Sequence, residues 1–386
     1  MAAGIAVAVD RTFFSVETRT CSAHATRSSR PDLQRILNGL VTGRSALAPG
    51  ATAYVSGPHG SWLGAAGVAD TSTCARMPVN ARMRLESVTK IYTATLILQL
   101  AQAGTLRVDD TVERWLPGLL PSYGNRITIR QLLTMTSGLI DNNDFMNASD
   151  SVRRTYLAHV KDAELRAQML ATIARANEDP AVVVSELLWI RWAAWQPLLF
   201  TPGSGYSHYS NIGYDILGLI AARAGGKPLA ALYREQIFEP LGLHATAYDP
   251  QGPISGPHAR GYGIDDGARF DTTDWHWGVG AEGGIVANAR DTGAFLTARM
   301  RGKLLDRAQL TAMELENLWR GGESSGCDGQ AYGWSGGGAG YKTDVWVNDG
   351  GSRVAVLLVN ARHHGPPQVL ADAAVHHALA SLYCSA

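Results

Sequence analysis

The order of the predicted elements indicates an α/β (α+β) protein whose sheet is built from both ends of the chain, with an all-helical lobe inserted between them. Strand patterns occur near residues 51–70 and again near residues 341–360, and the region between them is mostly helical. Strands at both ends of such a chain are expected to share one mixed sheet. We therefore expect an N-terminal arm (1–30), an α/β lobe (31–100 and 270–386) and a helical lobe (101–269).

The elements of the α/β lobe follow from apolar spacing and turn residues. The first is a helix, "DLQRILNGLV", with Asp32 as a candidate N-cap. Two strands, "ATAYVSG" and "SWLGAAGVAD", are joined by the turn "GPHG". The segment from Ser87 to about Gly104 has one apolar helical stripe. Later come "GGIVANARDTGAFLTARM", a strand leading into a helix, the hairpin "YKTDVWVND" and "RVAVLLVN", and the final helix "PQVLADAAVHHALASLY".

The helical lobe contains three helical regions. The segments "TIRQLLTMTSGL" and "NIGYDILGLIAARAGG" have helical spacing, and glycines close the second at its C-terminus. Residues 151–200 are mostly helical in pattern.

Composition excludes several classes of function. The 386 residues carry 34 basic and 34 acidic side chains, so no net charge favours nucleic acid or an anionic membrane. The apolar runs are far shorter than the ~20 residues of a membrane span. The N-terminus "MAAGIAVAVDRTFF" lacks a basic region and makes a poor signal peptide, which favours a cytoplasmic location.

A serine stands three residues before a lysine at the start of the helix "SVTKIYTATLILQL". The chain has only five lysines, and Lys90 alone has a serine, Ser87, three positions earlier. Residues i and i+3 share one face of a helix, so the two side chains should meet. Lysine, unlike arginine, can lose its proton and take one from a serine hydroxyl. Taken alone, the pair also fits a capping serine and an exposed lysine.

Two further motifs carry chemistry-bearing residues. Tyr209 and Asn211 stand directly before a helix in "HYSNIGYDILG", where a tyrosine can carry protons. The alternative is that Asn211 caps the helix and Tyr209 packs. The glycine-rich "YGWSGGGAGYKTD" predicts a strand edge that a substrate can approach closely, with N–H groups available to an oxyanion. Its alternative is a tight bulge or loop.

The three motifs in this order resemble the serine β-lactamase and penicillin-binding-protein superfamily, and in particular its class C-like branch with D-alanyl-D-alanine carboxypeptidases. The resemblance runs from about residue 32 to the C-terminus and includes "TPGSGYSHYSNIGYDILGLI", "IFEPLGLHATAY" and "AEGGIVANARDTGAFL". It implies a β-lactamase-like fold, in which an antiparallel sheet is flanked by helices and the active site lies between the α/β lobe and the inserted helical lobe.

The resemblance also implies roles for individual residues. Ser87 resembles the nucleophile, Lys90 its base, and Tyr209 the acid/base that serves the leaving group and acceptor. Asn211 resembles the residue that orients the lysine and holds the substrate's amide. In the third motif, "WSGGGAGY", Trp334 and Gly336 occupy the family's spacing. The backbone N–H of Gly337, the residue after Gly336, would form the oxyanion hole together with the backbone N–H of Ser87.

Trp334 departs from the basic or polar residue that carboxypeptidases and β-lactamases have at this position. Indole has no charge and a large apolar face. The same residue occurs in the family's carboxylesterases and natural-product acyltransferases. We therefore expect a carboxylesterase or transacylase that acts on a small-molecule ester or amide, with water, an amine or an alcohol as acceptor. The alternative is a D-Ala-D-Ala carboxypeptidase, another penicillin-binding enzyme or a β-lactamase, in which Arg320 or Lys342 supplies the cation. A non-catalytic ligand-binding relative is the third interpretation.

The remaining motifs give weaker expectations. Five tryptophans could form an aromatic rim around the substrate site, and the alternative is that they pack in the core of the helical lobe. They are Trp189, Trp192, Trp195, Trp275 and Trp277. The histidines lack metal-site spacing, so neither a metal nor another cofactor is expected. The four cysteines permit two disulfides or four free thiols. The placement of Cys327 and Cys384 resembles a disulfide of the secreted carboxypeptidases, which makes secretion the alternative location.

Overall fold

A computed structural model describes residues 21, 28–43, 46–179, 182, 184–275, 280–306, 327, 331–338 and 340–386. They form two compact units. The helical unit comprises the described parts of Thr93–Leu232 and Asp274–Glu282. The sheet unit comprises the described residues up to Tyr92, together with those of Tyr233–Thr273 and Gly283–Ala386. Most of the expected N-terminal arm lies outside the described residues.

The strands of the described residues all belong to the sheet unit. They are β1 (Gly50–Gly57), β2 (Gly60–Asp70), β3 (Ala75–Arg76), β4 (Met83–Arg84), β5 (Ala247–Tyr248), β6 (Tyr262–Asp265), β7 (Ala268–Asp271), β8 (Ile285–Ala287), β9 (Ala331–Gly337), β10 (Lys342–Asn348), β11 (Val354–Val359) and β12 (Ala361–His363). Strand β5 pairs with β8, and β6 pairs with β12. Residues 233–269 therefore group with the sheets, whereas the sequence-based division placed them in the helical lobe.

The main sheet has six strands in the order β3-β2-β1-β11-β10-β9. Every pair in it is antiparallel, which confirms the α+β class with an antiparallel sheet. The two predicted hairpins build most of it, and β1 pairs with β11 to join the two ends of the chain. A mixed sheet was the wrong expectation, since hairpin-connected strands pair antiparallel. The parallel pair, β12 with β6, lies in a separate three-stranded sheet.

Both faces of the main sheet are covered. Strand β11 is buried at all six positions, as expected for a strand between two layers. On one face, helices α1 (Pro31–Gly39) and α13 (Pro367–Cys384) contribute Leu37 and Leu379 to a core with Leu357. On the other, helix α12 (Ala289–Met300) lies so close to β1 that a Cβ atom at Gly293 would clash with the Tyr54 ring.

The remaining helices lie between these elements in the chain. They are α2 (Thr89–Gln102), α3 (Val112–Trp115), α4 (Ile129–Leu133), α5 (Asn142–Met146), α6 (Asp150–His159), α7 (Ala163–Glu178), α8 (Glu186–Ala193), α9 (Asn211–Gly225), α10 (Leu229–Tyr233) and α11 (Glu239–Leu241). Helix α9 ends at Gly226 in the left-handed conformation, as its glycines predict. Among the described residues, no helix is both long and apolar enough to cross a membrane.

Two local expectations are wrong. Asp32 does not cap α1, because the helix begins at Pro31 and Arg30 is its N-cap; Asp32 lies in the first turn and pairs with Arg30 at 2.6 Å. The helix expected over "TIRQLLTMTSGL" covers only its first half. It ends at Leu133 because Met135 adopts the left-handed conformation, with φ = 58°.

Two disulfides tie distant parts of the sheet unit together. Cys327 bonds to Cys384 at the end of α13, and Cys21 bonds to Cys74. All four cysteines are therefore paired. The Cys327–Cys384 bond ties a residue four positions before β9 to the C-terminal helix.

Candidate active site

Ser87 lies in a tight turn that β8 holds in place. The turn, Glu86–Val88, is one stretch of 3-10 helix that runs into α2 at Thr89. The Leu85 N–H donates to the Ile285 carbonyl at 2.8 Å, and the Ile285 N–H donates to Thr89 Oγ1 at 3.1 Å. These two bonds clamp the backbone on both sides of Ser87. The serine therefore has a defined position on the sheet unit.

Lys90 and Ser87 meet as their spacing predicts. Lys90 Nζ donates to Ser87 Oγ at 3.1 Å. The lysine is fully buried, whereas the serine is partly exposed. An amine within hydrogen-bond distance of a hydroxyl is the geometry in which a base activates a serine nucleophile. The capping serine and exposed lysine that the pair alone also allows are not found.

The glycine-rich strand β9 packs backbone against backbone on this turn. A Cβ atom at Gly336 would lie 3.0 Å from the Ser87 nitrogen and closer still to the Leu85 carbonyl oxygen. Both neighbours are main-chain atoms, which cannot rotate away as a side chain can. Only glycine therefore fits at this position, and its small size brings the strand edge beside the serine N–H.

The other third-motif residues occupy defined places on β9. Gly337 is exposed and pairs with Lys342 of β10, and Trp334 is half-buried and pairs with Val345. The guanidinium of Arg362 lies against Gly337: a Cβ atom there would be 2.7 Å from Arg362 Cζ. Arg362 comes from β12, 25 residues after Gly337 in the chain, and no sequence motif pointed to it.

The cations near β9 are held by acidic partners. Lys342 is buried, forms an ion pair with Asp344 at 2.8 Å and contacts Ser335 Oγ. Arg362 pairs closely with Asp372. Lys342 is one of the two cations that, on the sequence alone, could replace a basic third-motif residue. Its charge is instead compensated by Asp344 inside the protein. The other, Arg320, lies outside the described residues.

Glu86, directly before Ser87, has an unusual backbone. Its φ is 52°, in the left-handed region that is costly for residues other than glycine. Its carboxylate packs on Gly338, where any Cβ atom would overlap it. Strained positions of this kind cluster at functional sites. Glutamate is not a turn-forming residue type, so no sequence pattern indicated this conformation.

Tyr209 and Asn211 belong to the helical unit. Ser210 caps α9, because its Oγ accepts the Gly213 N–H at 3.2 Å; the alternative that Asn211 caps the helix is wrong. Asn211 is instead fixed by Asp141, which accepts its backbone N–H at 2.8 Å. The Asn211 side chain is nearly buried, while Tyr209 is 42% exposed. The segment thus holds a rigid amide beside an accessible phenol.

The tryptophans divide between packing and surface. Trp189 and Trp192 are buried and pack edge-to-face with each other and with Phe145. They therefore belong to the core of the helical unit. Trp195 is 41% exposed, and Trp277 lies outside the described residues. Within the part of the chain that the structure describes, no group of three or more His, Cys, Asp or Glu side chains is arranged to hold a metal ion.

The profile of the family described as "Beta-lactamase" matches residues 37–380. The chain belongs to the Beta-lactamase family. This confirms the resemblance on which the site residues were assigned, and the antiparallel sheet flanked by helices agrees with it.

Curated relatives with sequence similarity have several activities in their names. Esterase EstB of Burkholderia gladioli is 32% identical over 213 residues, which are 52% of this chain and 47% of that protein. D-alanyl-D-alanine-carboxypeptidase/endopeptidase AmpH of Escherichia coli (strain K12) is 28% identical over 180 residues, which are 45% of this chain and 39% of the relative. The matched stretch thus spans less than half of either relative.

Solved structures match over most of the chain. A D-stereospecific amidohydrolase from Streptomyces sp. superposes with a TM-score of 0.69 and 25% identity, covering 86% of this chain and 94% of that one. D-amino acid amidase from Ochrobactrum anthropi SV3 gives a TM-score of 0.72 at 22% identity, covering 92% and 97%. The likeness therefore extends over both units of the fold.

Proposed function

We propose that the protein is a serine acyl-enzyme catalyst that acts on small-molecule esters. The observation that carries the proposal is the 3.1 Å hydrogen bond from the buried Lys90 amine to Ser87 Oγ, on a turn clamped by β8. Membership of the Beta-lactamase family, whose relatives include an esterase and a carboxypeptidase, supports it. The residue roles below are part of the proposal.

In the acylation step, Ser87 Oγ attacks the substrate carbonyl carbon and its proton passes to Lys90 Nζ. The carbonyl oxygen becomes an oxyanion, which accepts hydrogen bonds from the N–H groups of Ser87 and Gly337. Gly336 keeps β9 close enough for both donors to reach one oxygen. When the tetrahedral intermediate collapses, the bond to the leaving group breaks and the leaving group receives a proton from Tyr209.

In the deacylation step, water, an amine or an alcohol attacks the acyl carbon and gives up its proton to Tyr209, which lost one to the leaving group. The Ser87–acyl bond breaks, and Lys90 returns its proton to Ser87 Oγ. Asn211 holds the substrate's amide and orients Lys90 in this proposal. The assignment of Tyr209 and Asn211 rests on the order of the three motifs along the chain.

Trp334 favours substrates without a carboxylate beside the scissile bond. Indole offers no charge to a carboxylate, which would lose its hydration with little compensation. A penalty of about 3 kcal/mol would lower the rate about a hundredfold. The similarity to Esterase EstB supports the same preference for esters. An apolar acyl site also suits transfer to an amine or alcohol, and ester-to-amide exchange of a natural product is one reaction of this kind.

A D-Ala-D-Ala carboxypeptidase is the second candidate, and Arg362 is the observation that favours it. Its guanidinium lies against Gly337, where a substrate carboxylate would find a cation. The close ion pair with Asp372 weighs against this role, since the guanidinium charge is already compensated.

A competition experiment separates the two candidates. The protein is given a short p-nitrophenyl ester and a D-Ala-D-Ala peptide together, with and without an added amine, and products are followed by mass spectrometry. We expect turnover of the ester, little cleavage of the peptide, and diversion of acid to amide when the amine is present. Efficient peptide cleavage that is lost in Arg362→Gln would replace the esterase proposal with the carboxypeptidase.

A further inference from the structure

The helical unit contains a cavity of about 720 Å³. This volume is within the range of small-molecule sites, about 300–1,000 Å³. It lies between the loop before α4 and the segment after α8. None of its lining residues belongs to the candidate catalytic set. Its described lining consists of Ser122, Tyr123, Arg126, His159, Lys161, Ala194, Trp195, Gln196, Pro197, Leu198, Phe200 and Thr201.

The lining has basic side chains and no acidic ones. Arg126 and Lys161 are cationic, and none of the twelve described lining residues is an aspartate or glutamate. The Lys161 ammonium donates to the Ala158 carbonyl at 3.0 Å and has two further donors. The carboxylate of Asp162, the residue after Lys161, does not line the cavity and has other partners. It accepts the Leu165 N–H at 3.0 Å and lies 3.7 Å from Arg191. The cavity therefore concentrates positive charge, which attracts anions.

One wall of the cavity is built by a buried amide. Gln196 is 2% exposed, and its Nε2 donates to the carbonyls of Tyr156 at 3.0 Å and Trp192 at 3.3 Å. Its Oε1 is then the acceptor for His159 Nδ1, at 2.9 Å. The Nδ1–H tautomer of His159 follows from this arrangement. The imidazole is thus held in one orientation before any ligand arrives.

The rest of the lining offers aromatic surface. Trp195 is 41% exposed and Phe200 is half-buried, and both line the cavity. Tyr123 is held in place by its hydroxyl, which donates to the Ala193 carbonyl at 2.5 Å. An exposed indole is costly to leave in water and presents a face for a planar ring. Such a face also favours a ligand ring over a purely inorganic ion.

From these features we propose that the cavity is a binding site for a small aromatic anion, in which the ring packs on Trp195 and the anionic group is bound by Arg126 and Lys161. Arginine binds planar carboxylates and phosphates with two parallel hydrogen bonds. His159, whose orientation Gln196 fixes, completes the lining without binding the anionic group, because Nε2 is the acceptor nitrogen of the Nδ1–H tautomer. The site is independent of the proposed acyl-enzyme chemistry, because it shares no residue with it.

Isothermal titration with phenyl phosphate tests the proposal, with phenol and inorganic phosphate as single-feature probes. We expect phenyl phosphate to bind with a Kd of about 1 mM or tighter, and both single-feature probes to bind at least about tenfold more weakly. Arg126→Gln and Trp195→Ala should each weaken the phenyl phosphate complex about tenfold. Raising the salt to about 1 M should weaken it as well, because the charges are near the surface.

The matched control is Arg154→Gln, which removes an exposed arginine of the helical unit that does not line the cavity. It should bind phenyl phosphate like the wild type, and circular dichroism should show that all variants are folded. The proposal is overturned if phenyl phosphate does not bind, if Arg126→Gln and Arg154→Gln weaken it equally, or if phenol binds as tightly as phenyl phosphate.

Discussion

Replacement of Gly336 by alanine tests how closely β9 must approach Ser87, the proposed nucleophile. The added methyl group would lie 3.0 Å from the Ser87 nitrogen and nearer to the Leu85 oxygen, whereas ordinary contacts begin at 3.4 Å. Both obstacles are main-chain atoms, and hydrogen bonds to β8 hold the turn in place. The strand and the turn must therefore separate by about 1 Å, a displacement that costs about a hundredfold in rate when it affects reacting groups.

Overpacking of this kind destabilises a fold by about 1–3 kcal/mol. We therefore expect Gly336→Ala to remain folded but to lose about a hundredfold in the rate of p-nitrophenyl acetate hydrolysis. The assay pairs initial rates with the midpoint of urea unfolding. Gly39→Ala is the matched control, since nothing lies within 4 Å of a Cβ atom at the end of α1. It should change neither quantity.

The result that would refute this reasoning is specific. If Gly336→Ala hydrolyses the ester at the wild-type rate while Gly39→Ala behaves as expected, the close approach of β9 to Ser87 is not needed for activity. The proposed oxyanion hole at Ser87 and Gly337 would then be wrong as well.

Three further predictions follow from the structure. Trp334→His should raise the rate on a D-Ala-D-Ala peptide relative to a p-nitrophenyl ester, and an unchanged ratio would remove Trp334 as the selectivity residue. Cys384→Ser should lower the free energy of unfolding by about 4 kcal/mol, since the bond closes a loop of 57 residues; peptide mapping that finds both thiols alkylated without reduction would contradict the bond. Burial raises the pKa of Tyr92, Tyr123 and Tyr341 above the ordinary value of 10. As the pH rises, these tyrosines therefore lose their protons in the unfolded state before they lose them in the folded state. The free energy of unfolding should keep their full contribution below pH 10 and fall above it, by about 1.4 kcal/mol per pH unit for each tyrosine. Urea unfolding at pH 9 and pH 11 measures this fall, and equal free energies at the two pH values would contradict the prediction.

Periodicity and turn residues were enough to predict four of the six strands of the main sheet. The hairpin of β1 and β2 and that of β10 and β11 lie where their alternating patterns placed them, because one turn fixes each register. Helix α4 was overestimated, since the left-handed Met135 that ends it depends on tertiary contacts. Local patterns do not record such contacts.

The site was predictable only as far as local spacing extends. Ser87 and Lys90 are three residues apart, so helical geometry alone brings them together. Arg362 reaches Gly337 through the pairing of distant strands, and Glu86 depends on a backbone conformation that its residue type does not favour. Neither is encoded in a short motif. The pairing of Asn211 with Asp141 spans 70 residues and was missed for the same reason.

The most direct test of the proposed acyl-enzyme chemistry is the intact mass of the protein after treatment with a fluorophosphonate. The wild type should gain the mass of one phosphonyl group, and Ser87→Ala should gain none. Lys90→Arg should react far more slowly, because arginine does not give up its proton. A single adduct that persists in Ser87→Ala would contradict the account, since another residue would then be the nucleophile.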